Sequence, residues 1–304
     1  MPDRLLIEHA PAKVNLTLRV LGRRPDGYHD IDSLVAFARI GDRLTLEPGR
    51  AFGLDLRGSY GAATGDLDDN LVVKAAQALA REAGGLTLGH FVLDKQLPVA
   101  AGLGGGSADA AAALRLLARA NGLALDDARL FAAARATGAD VPVCLEARPR
   151  VMRGIGDVLH EPVDLPALPA VLVNPGVALA TRDIFARLGL GLGETRDEPA
   201  IDRVPTAPTA LIAFLASGGN DLEPAAISIA PIVADVLARL RALAGCRLTR
   251  MSGSGATCFA LFDTADAASS AARQLQEAHP RWWIASTVLG SAAGDRLAAT
   301  LARP

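Results

Sequence analysis

The sequence is poor in cysteine, net charge and long hydrophobic runs, and each shortage excludes a class of protein. Its three cysteines, Cys144, Cys246 and Cys258, lie far apart and lack the spacing of a metal site. No apolar run is long enough to cross a bilayer, and the start, MPDRLLIEHAPAK, is too charged for a signal peptide. A formal net charge of -2 lacks the basic surplus of a nucleic-acid binder. We therefore expect a cytoplasmic protein that binds neither membrane nor nucleic acid; no pattern here indicates its oligomeric state.

Lysine and aromatic residues are also scarce. Lys13, Lys74 and Lys95 are the only lysines against a Lys+Arg total of 31, so arginine carries almost every positive charge. An ammonium and a planar guanidinium do different chemistry, so each lysine is a candidate for a particular role, with an incidental position as the alternative for Lys74. Aromatic residues make up 4% of the chain, and Tyr28 is one of two tyrosines.

The order of predicted elements favours an α+β fold, because strands and helices mix without regular alternation. The stretch RLLIEHAPAKVNLTLRVLG predicts two strands around a turn at Pro11, and HDIDSLVAFARIGDRLTLEPG predicts further short strands. Residues 190–210 are predicted to form a long loop. Helices are predicted over DNLVVKAAQALAREAG, SADAAAALRLLARANG, LDDARLFAAARATG, IAPIVADVLARLRALAG and ADAASSAARQLQEA. Later strands are predicted in ALPAVLVNPG, on both sides of the glycine turn in CRLTRMSGSGATCFALF, and in RWWIASTVLG.

A glycine-rich loop lies between a predicted strand, LTLGHFVLDKQLP, and a predicted helix. In LPVAAGLGGGSADAA four glycines occupy residues 102–106. Glycine lets backbone N–H groups point at an anion, and the first turn of the next helix adds unpaired donors, so this arrangement predicts phosphate binding. Ser107 has a hydroxyl for the helix cap, for a phosphate or for its metal. The alternative is a purely structural turn.

Two familiar phosphate loops are excluded. No Gly-Lys pair exists in the chain, so the loop is not of Walker type. Counted from Gly102 and Gly104, the third glycine of a dinucleotide fingerprint is replaced by Ser107. The dinucleotide-dependent oxidoreductases are therefore disfavoured.

Together with PAKVNLTLRVLGRRPDGYHDIDSL and MSGSGATCFALF, the glycine loop resembles the three motifs of the GHMP kinases, named for galactokinase, homoserine kinase, mevalonate kinase and phosphomevalonate kinase. The resemblance spans about residues 9 to 290. It implies an N-terminal α+β domain and a C-terminal α+β domain of ferredoxin-like type, which we place at residues 1–160 and 161–304, with the active site in the cleft between them. One departure is Ala108, where many relatives have a second serine.

DGYH and GADVP resemble one branch of this superfamily more specifically. Its members use ATP to phosphorylate the 2-hydroxyl of a methylerythritol that carries cytidine diphosphate, in the non-mevalonate route to isoprenoid precursors. The resemblance implies a catalytic lysine at Lys13 and a catalytic aspartate at Asp140. An aspartate there can accept the hydroxyl proton, and a nearby ammonium keeps it ionised. The alternatives are a surface strand lysine and a helix cap.

The resemblance also implies the binding residues and Mg²⁺, for which no cluster of protein ligands is predicted. Asn15 shares a strand face with Lys13 and is a candidate substrate contact. For Asn70 and Leu71 a helix start, and for Lys95 an exposed strand end, are the alternatives. The ATP residues are predicted to be Pro98, Val99, Ala100, Ala101, Gly102, Leu103, Gly104, Gly105, Gly106, Ser107 and Ala108, with Asn70, Leu71 and Lys95. The other predicted substrate residues are Tyr28, His29, Phe185 and Thr181, of which Tyr28 and Phe185 are expected to stack on cytosine and His29 to hydrogen-bond to its edge.

Two rival functions remain at this point. One is a homoserine or mevalonate kinase, which DGYH disfavours and a substrate panel would test. The other is a binding or regulatory protein that has kept the fold and lost catalysis. The presence of both Lys13 and Asp140 disfavours that reading.

Overall fold

The computed structural model describes residues 5–197 and 200–291. Within this part of the chain eleven strands form one hydrogen-bonded sheet, with helices packed on it in two groups. The architecture is α+β, as predicted. No helix of the described residues is long and apolar enough to cross a bilayer.

The N-terminal half contains seven strands and four α-helices. The helices pack on the sheet around a core that includes Phe37, Phe91 and Leu114. Asn70 caps the first helix through its side chain, and Gly84 ends it in a left-handed conformation. The elements are β1 (Leu6–Asn15), β2 (Arg19–Arg23), β3 (His29–Glu47), β4 (Gly53–Arg57), α1 (Leu71–Ala83), β5 (His90–Asp94), α2 (Gly105–Ala120), α3 (Ala128–Thr137), α4 (Val141–Glu146), β6 (Arg150–Gly154) and β7 (Val158–Pro162).

Two sequence predictions in this half were wrong. The chain does not turn at Pro11: β1 continues through it, with a bulge between Pro11 and Lys13. The expected short strands after residue 29 are one 19-residue strand, β3. Gly41 lies inside β3 and does not form a turn. A Cβ at this position would overlap the carbonyl oxygen of Ala10 on β1, so the glycine permits the close approach of the two strands.

The described residues of the C-terminal half form four strands and five helices. Its strands are antiparallel in the order β11-β8-β10-β9, which with α8 and α9 gives the βαββαβ pattern of a ferredoxin-like domain. Helices α4, α5, α6 and α7 were not among the helices predicted from hydrophobic periodicity. The elements are β8 (Leu168–Asn174), α5 (Thr181–Ala186), α6 (Pro208–Ser217), α7 (Glu223–Ile229), α8 (Ile232–Arg241), β9 (Cys246–Met251), β10 (Cys258–Phe262), α9 (Ala265–Ala278) and β11 (Trp283–Gly290).

The two halves share one sheet and parts of the core. Strand β11 pairs with β3 at Leu289 and Gly290, and a buried cluster that includes Val14, Leu34 and Phe259 spans both halves. The predicted domain boundary at residues 160 and 161 falls inside β7 and stays a prediction. Parts of the predicted ranges, residues 1–4, 198–199 and 292–304, lie outside the described residues.

Candidate active site

The glycine-rich loop connects β5 to α2. Helix α2 begins at Gly105, and its N-cap is Gly104, which has a left-handed φ of 59°. Ser107 lies in the first helical turn and is not the cap. Among the described residues its hydroxyl makes no hydrogen bond, so it is available to a ligand. The N–H groups of this first turn have no partners within the helix.

Three motifs that are far apart in sequence meet at this loop. The backbone N–H of Lys13 on β1 donates to the carbonyl of Leu103 at 2.8 Å. Ser252, in the turn between β9 and β10, donates its hydroxyl to the carbonyl of Gly102 at 2.8 Å and accepts from the N–H of Asn15 at 3.1 Å. A Cβ on Gly102 would overlap the carbonyl oxygen of Ser252, so this glycine is needed for the contact. Thus the loop is held from both halves of the chain.

Lys13 and Asp140 form an ion pair at the bottom of the cleft. The Lys13 Nζ lies 3.0 Å from the Asp140 Oδ2, and the side chains are 6% and 38% exposed. Asp140 occupies the N-cap position of α4, yet its side chain makes no capping hydrogen bond. Lys13 also donates to the Oδ1 of Asn15 at 3.3 Å, which confirms that the two side chains share a face. Asn15 in turn donates to Ser33 at 2.8 Å.

Arg115 on α2 holds the elements that bring Lys13 and Asp140 together. Its guanidinium is buried and pairs with Glu8 on β1 at 2.9 Å. It also donates to the carbonyls of Cys144 and Leu145 on α4 at 2.9 and 3.2 Å, and to that of His9 on β1 at 3.0 Å. One side chain therefore fixes β1, which carries Lys13, relative to α4, which follows Asp140.

Lys95 is buried and paired, so the alternative of an exposed lysine was wrong. Its Nζ lies 2.5 Å from Asp42 Oδ2 and 2.7 Å from Asp109 Oδ2. Burial opposes the charge on Lys95, but the two carboxylates outweigh it and raise its pKa. Burial raises the pKa of Asp109; Asp42 adds to this rise and Lys95 opposes it. By contrast, Lys74 makes an exposed ion pair with Asp69, which fits an incidental position.

The predicted aromatic residues line the same cleft. Tyr28, in the turn between β2 and β3, is 61% exposed. The rings of His29 and Phe185 pack together with centroids 4.8 Å apart. Burial, followed by the charges of Arg23 and Arg196, lowers the pKa of His29. On the same helix as Phe185, Thr181 bonds to Ser254 of the second glycine turn at 2.9 Å.

Most of the predicted site residues line one cleft, which has a volume of about 1060 Å³. Leu103 and Ala108 do not line it, because their side chains are buried in the core on either side of the glycines. Asn70 lines the cleft and also caps α1, so the helix-start alternative was correct as a structural description. The predicted residues that line the cleft are Lys13, Asn15, Tyr28, His29, Asn70, Leu71, Lys95, Pro98, Val99, Ala100, Ala101, Gly102, Gly104, Gly105, Gly106, Ser107, Asp140, Thr181 and Phe185.

Sequence reasoning missed several charged residues of the cleft wall, among them Arg23, Asp109 and Arg182. Asp109 follows Ser107 by two positions and was read only as part of a helix. Arg182 stands in TRDIFARL beside the predicted Thr181. Both stand next to predicted site residues in the sequence, but neither has a pattern that separates it from an ordinary surface charge.

Comparison with known proteins agrees with this arrangement of motifs. The family model for the N-terminal domain of GHMP kinases matches residues 70–148, and that for the C-terminal domain matches residues 208–281. The chain is 55% identical to a 4-diphosphocytidyl-2-C-methyl-D-erythritol kinase of Rhodopseudomonas palustris, over 95% of this chain and 97% of the relative. It is 54% identical to a protein of the same name from Methylorubrum extorquens, over 94% of this chain and 99% of the relative.

Solved structures give the same result. A crystal structure of 4-(cytidine 5'-diphospho)-2C-methyl-D-erythritol kinase matches with a TM-score of 0.74 and 37% identity, covering 94% of this chain and all of the other. A homoserine kinase from Cytophaga hutchinsonii matches with a TM-score of 0.67 and 19% identity, over 95% and 96% of the two chains, which shows the shared fold. With both family models matched and relatives above 50% identity along almost its whole length, this chain belongs to the 4-diphosphocytidyl-2-C-methyl-D-erythritol kinase family of the GHMP kinases.

Proposed function

We propose that this chain transfers the γ-phosphoryl group of ATP to the 2-hydroxyl of 4-diphosphocytidyl-2-C-methyl-D-erythritol. The observation that carries the proposal is the Lys13–Asp140 ion pair, 3.0 Å long, which lines the same cleft as the glycine loop and the His29–Phe185 pair. Kinship to enzymes of that name, at 54–56% identity, supports the choice of substrate.

In the proposed reaction the oxygen of the substrate hydroxyl attacks the γ-phosphorus and ADP leaves. Asp140 accepts the proton of that hydroxyl. Lys13 pairs with this carboxylate, and its charge neutralises charge that develops on the transferred group. Asn15 holds the Lys13 ammonium from the other side. Because Asp140 is partly exposed and makes no capping hydrogen bond, its carboxylate is free to meet a hydroxyl.

ATP is proposed to lie along residues 98–107, with its phosphates on the N–H groups at the start of α2. The missing side chains at Gly104, Gly105 and Gly106 leave the backbone open to phosphate oxygens. Ser107 fits a role as a ligand of a phosphate or of Mg²⁺, since its hydroxyl lines the cleft without a hydrogen-bond partner among the described residues. Bound Mg²⁺ would neutralise phosphate charge.

The cytidine is proposed to lie between Tyr28 and the His29–Phe185 pair. The exposed ring of Tyr28 is available to stack on a base. Because its pKa is lowered, His29 is neutral at pH 7, so one ring nitrogen donates and the other accepts a hydrogen bond. This matches the mixed donor and acceptor edge of cytosine. Thr181 lies one helical turn from Phe185, toward the second glycine turn, and is proposed to contact the diphosphate.

We place the reaction in a reducing cytoplasm. The three cysteines are free thiols. Burial raises the pKa of the Cys144 thiol to about 12 and also raises that of Cys258, so both stay protonated and chemically inert at neutral pH.

A substrate panel tests the proposed function. Purified protein is incubated with MgATP and, separately, with the cytidine-linked methylerythritol, mevalonate and homoserine, and ADP release is followed. We expect turnover with the cytidine-linked alcohol alone. Turnover of mevalonate or homoserine in preference would move the chain to another GHMP activity, and ATP binding without turnover of any alcohol would indicate a binding protein.

A further inference from the structure

The ammonium of Lys95 connects the beginning and the end of the glycine-rich loop. Asp42 on β3 and Asp109 on α2 each offer it one carboxylate oxygen, at 2.5 and 2.7 Å. The other oxygen of Asp42 accepts the N–H groups of Gln96 and Leu97, at 2.6 and 2.8 Å, where the loop begins. Asp109 lies in the second turn of α2, where the loop has ended. The three side chains therefore fix the separation of the loop's two ends.

Gly105 depends on the same cluster. A Cβ built on this glycine would lie 3.0 Å from the Lys95 Nζ and 3.6 Å from Asp42 Oδ2. The ammonium is thus packed against the first residue of α2, and a side chain there would have to displace it by a few tenths of an ångström. The buried charges therefore explain the glycine at residue 105, in addition to the access that a glycine gives to a phosphate.

The charge of the cluster argues against direct attraction of phosphate by Lys95. Its ammonium already faces two carboxylates, and all three side chains are 4% exposed or less. A buried ionic cluster is also a poor source of stability, because desolvation offsets most of the attraction between its charges. What such a cluster supplies is a defined geometry, since an ammonium with three donors and a carboxylate with two acceptors fit together in few ways.

We propose that Lys95 is a positioning residue for ATP: through Asp42 and Asp109 it holds the glycine loop in the shape in which its N–H groups face the triphosphate. The proposal rests on the proposed kinase function. In this proposal Lys95 acts on ATP through the shape of the loop, and its ammonium makes no bond to the nucleotide.

The test compares ATP binding with alcohol binding in two variants. Asp109→Asn retains the side-chain shape and replaces the carboxyl group that faces Lys95 with an amide, whereas Lys95→Met removes the bridge. We expect the dissociation constant for a non-hydrolysable ATP analogue, measured without alcohol, to rise roughly 10- to 100-fold in Lys95→Met and less in Asp109→Asn. The KM for the cytidine-linked alcohol should stay within about twofold of wild type, because the cluster lies at the ATP end.

Arg250→Met is the matched control. Arg250 is another buried cation, and its guanidinium donates to the carbonyls of Leu16, Leu215 and Gly218, not to the glycine loop. Its replacement should lower the melting temperature and leave ATP affinity unchanged, so a general loss of stability is distinguished from a local loss of loop geometry.

Two results would overturn the proposal: unchanged ATP affinity in both folded cluster variants, or equal rises in the constants for ATP and for the alcohol. If Lys95→Met does not fold, Asp109→Asn still decides by the same criteria. The substrate panel is read on wild type, so a wrong substrate is recognised separately from a wrong role for Lys95.

Discussion

At the scale of single residues, Asp140 combines a structural position with a chemical one. It stands at the N-cap of α4, where an aspartate commonly accepts backbone N–H groups, but its side chain turns instead to the Lys13 ammonium. Pro142, at the second helical position, lacks an N–H and so reduces the need for a cap.

The first prediction follows from this position. Asp140→Asn should lower kcat on the order of 100- to 10,000-fold, the usual scale for loss of a general base, because the amide has no site for the hydroxyl proton. Since no capping bond is lost, the melting temperature and ATP affinity should stay close to wild type. Steady-state kinetics, thermal melting and equilibrium ATP binding check these expectations. Asp263→Asn, on an exposed carboxylate paired with Arg247, is the control. Near-normal turnover of a folded Asp140→Asn protein would remove Asp140 from the chemistry.

Tyr28 carries the second prediction. A stack between a base and an aromatic ring contributes roughly 1 to 3 kcal/mol, so Tyr28→Ala should raise the KM for the cytidine-linked alcohol roughly 5- to 150-fold. The KM for ATP should barely change, because Tyr28 lines the cleft with His29 and Phe185. Both constants are measured on the same preparation. The exposed Tyr28 ring supports no core, so a parallel rise in both would mean that the cytidine lies elsewhere.

The sequence predicted site residues that stand in a recognisable motif. It did not predict those whose role depends on partners far away in the sequence. Lys13 and Asp140 were chosen from PAK and GADVP, and the structure brings them together at 3.0 Å. Burial of Lys95 was not predictable, because it depends on Asp42, which is 53 residues away and belongs to no motif. For the same reason Asp109 looked like any polar residue in an alanine-rich helix until its partner was known.

At the scale of elements, the site depends on how β1, α2 and α4 are fixed to one another. Local sequence predicts α2 well, since alanine and leucine favour helix throughout. Six-residue α4 has too few residues for periodicity to show, and β3 was mistaken for several strands because Gly41 resembles a turn signal. The contacts that set these elements together are long-range and come from buried arginine. No local sequence pattern predicts these long-range contacts.

Arg115 provides the prediction at this scale. Arg115→Met fills similar space but removes the buried partner of Glu8 and the guanidinium that donates to the carbonyls of Cys144 and Leu145. Breaking a buried pair typically costs about 3 to 5 kcal/mol in the free energy of unfolding. Glu8 keeps its contact with Arg119 at 3.1 Å, so the lower end is expected. Urea unfolding measures the loss.

The exposed pair of Arg247 with Asp263, 3.4 Å apart, is the comparison for Arg115. Arg247→Met should change the free energy of unfolding by less than about 1 kcal/mol, as exposed ion pairs do. If Arg115→Met costs no more than Arg247→Met, Arg115 is not what fixes β1 to α4.

At the scale of the whole molecule, the cleft is built by both halves of the chain. The glycine loop and β1 come from the first half, and the Ser252 turn and α5 from the second. Resemblance to a kinase superfamily predicted this arrangement, whereas strand and helix patterns alone did not, because nothing local specifies that β11 pairs with β3 and closes one sheet. The cleft must then accept two highly charged phosphate groups at once.

The described part of the cleft wall has few cations free to meet those phosphates. Lys13 pairs with Asp140, Lys95 lies between two carboxylates, and Arg23 donates to the backbone carbonyls of Leu190 and Gly27. Arg182 differs: its side chain is 94% exposed, and its ion pair with Asp183 is 3.8 Å long. It stands on α5 between Thr181 and Phe185, where the diphosphate of the proposed substrate would pass from the reacting hydroxyl to the cytosine.

Arg182→Ala should therefore weaken binding of the cytidine-linked alcohol. An exposed ion pair contributes at most about 1 kcal/mol, so the KM for this substrate should rise roughly fivefold, with kcat and the KM for ATP nearly unchanged. Because salt screens exposed charges, the difference from wild type should shrink as ionic strength is raised. Arg187→Ala is the control, since Arg187 follows the same helix but bonds to Ser228 and does not line the cleft. An equal rise in the KM for ATP would place Arg182 at the γ-phosphate. If the rise in the KM for the cytidine-linked alcohol did not depend on salt, the charge of Arg182 would not be the cause of binding.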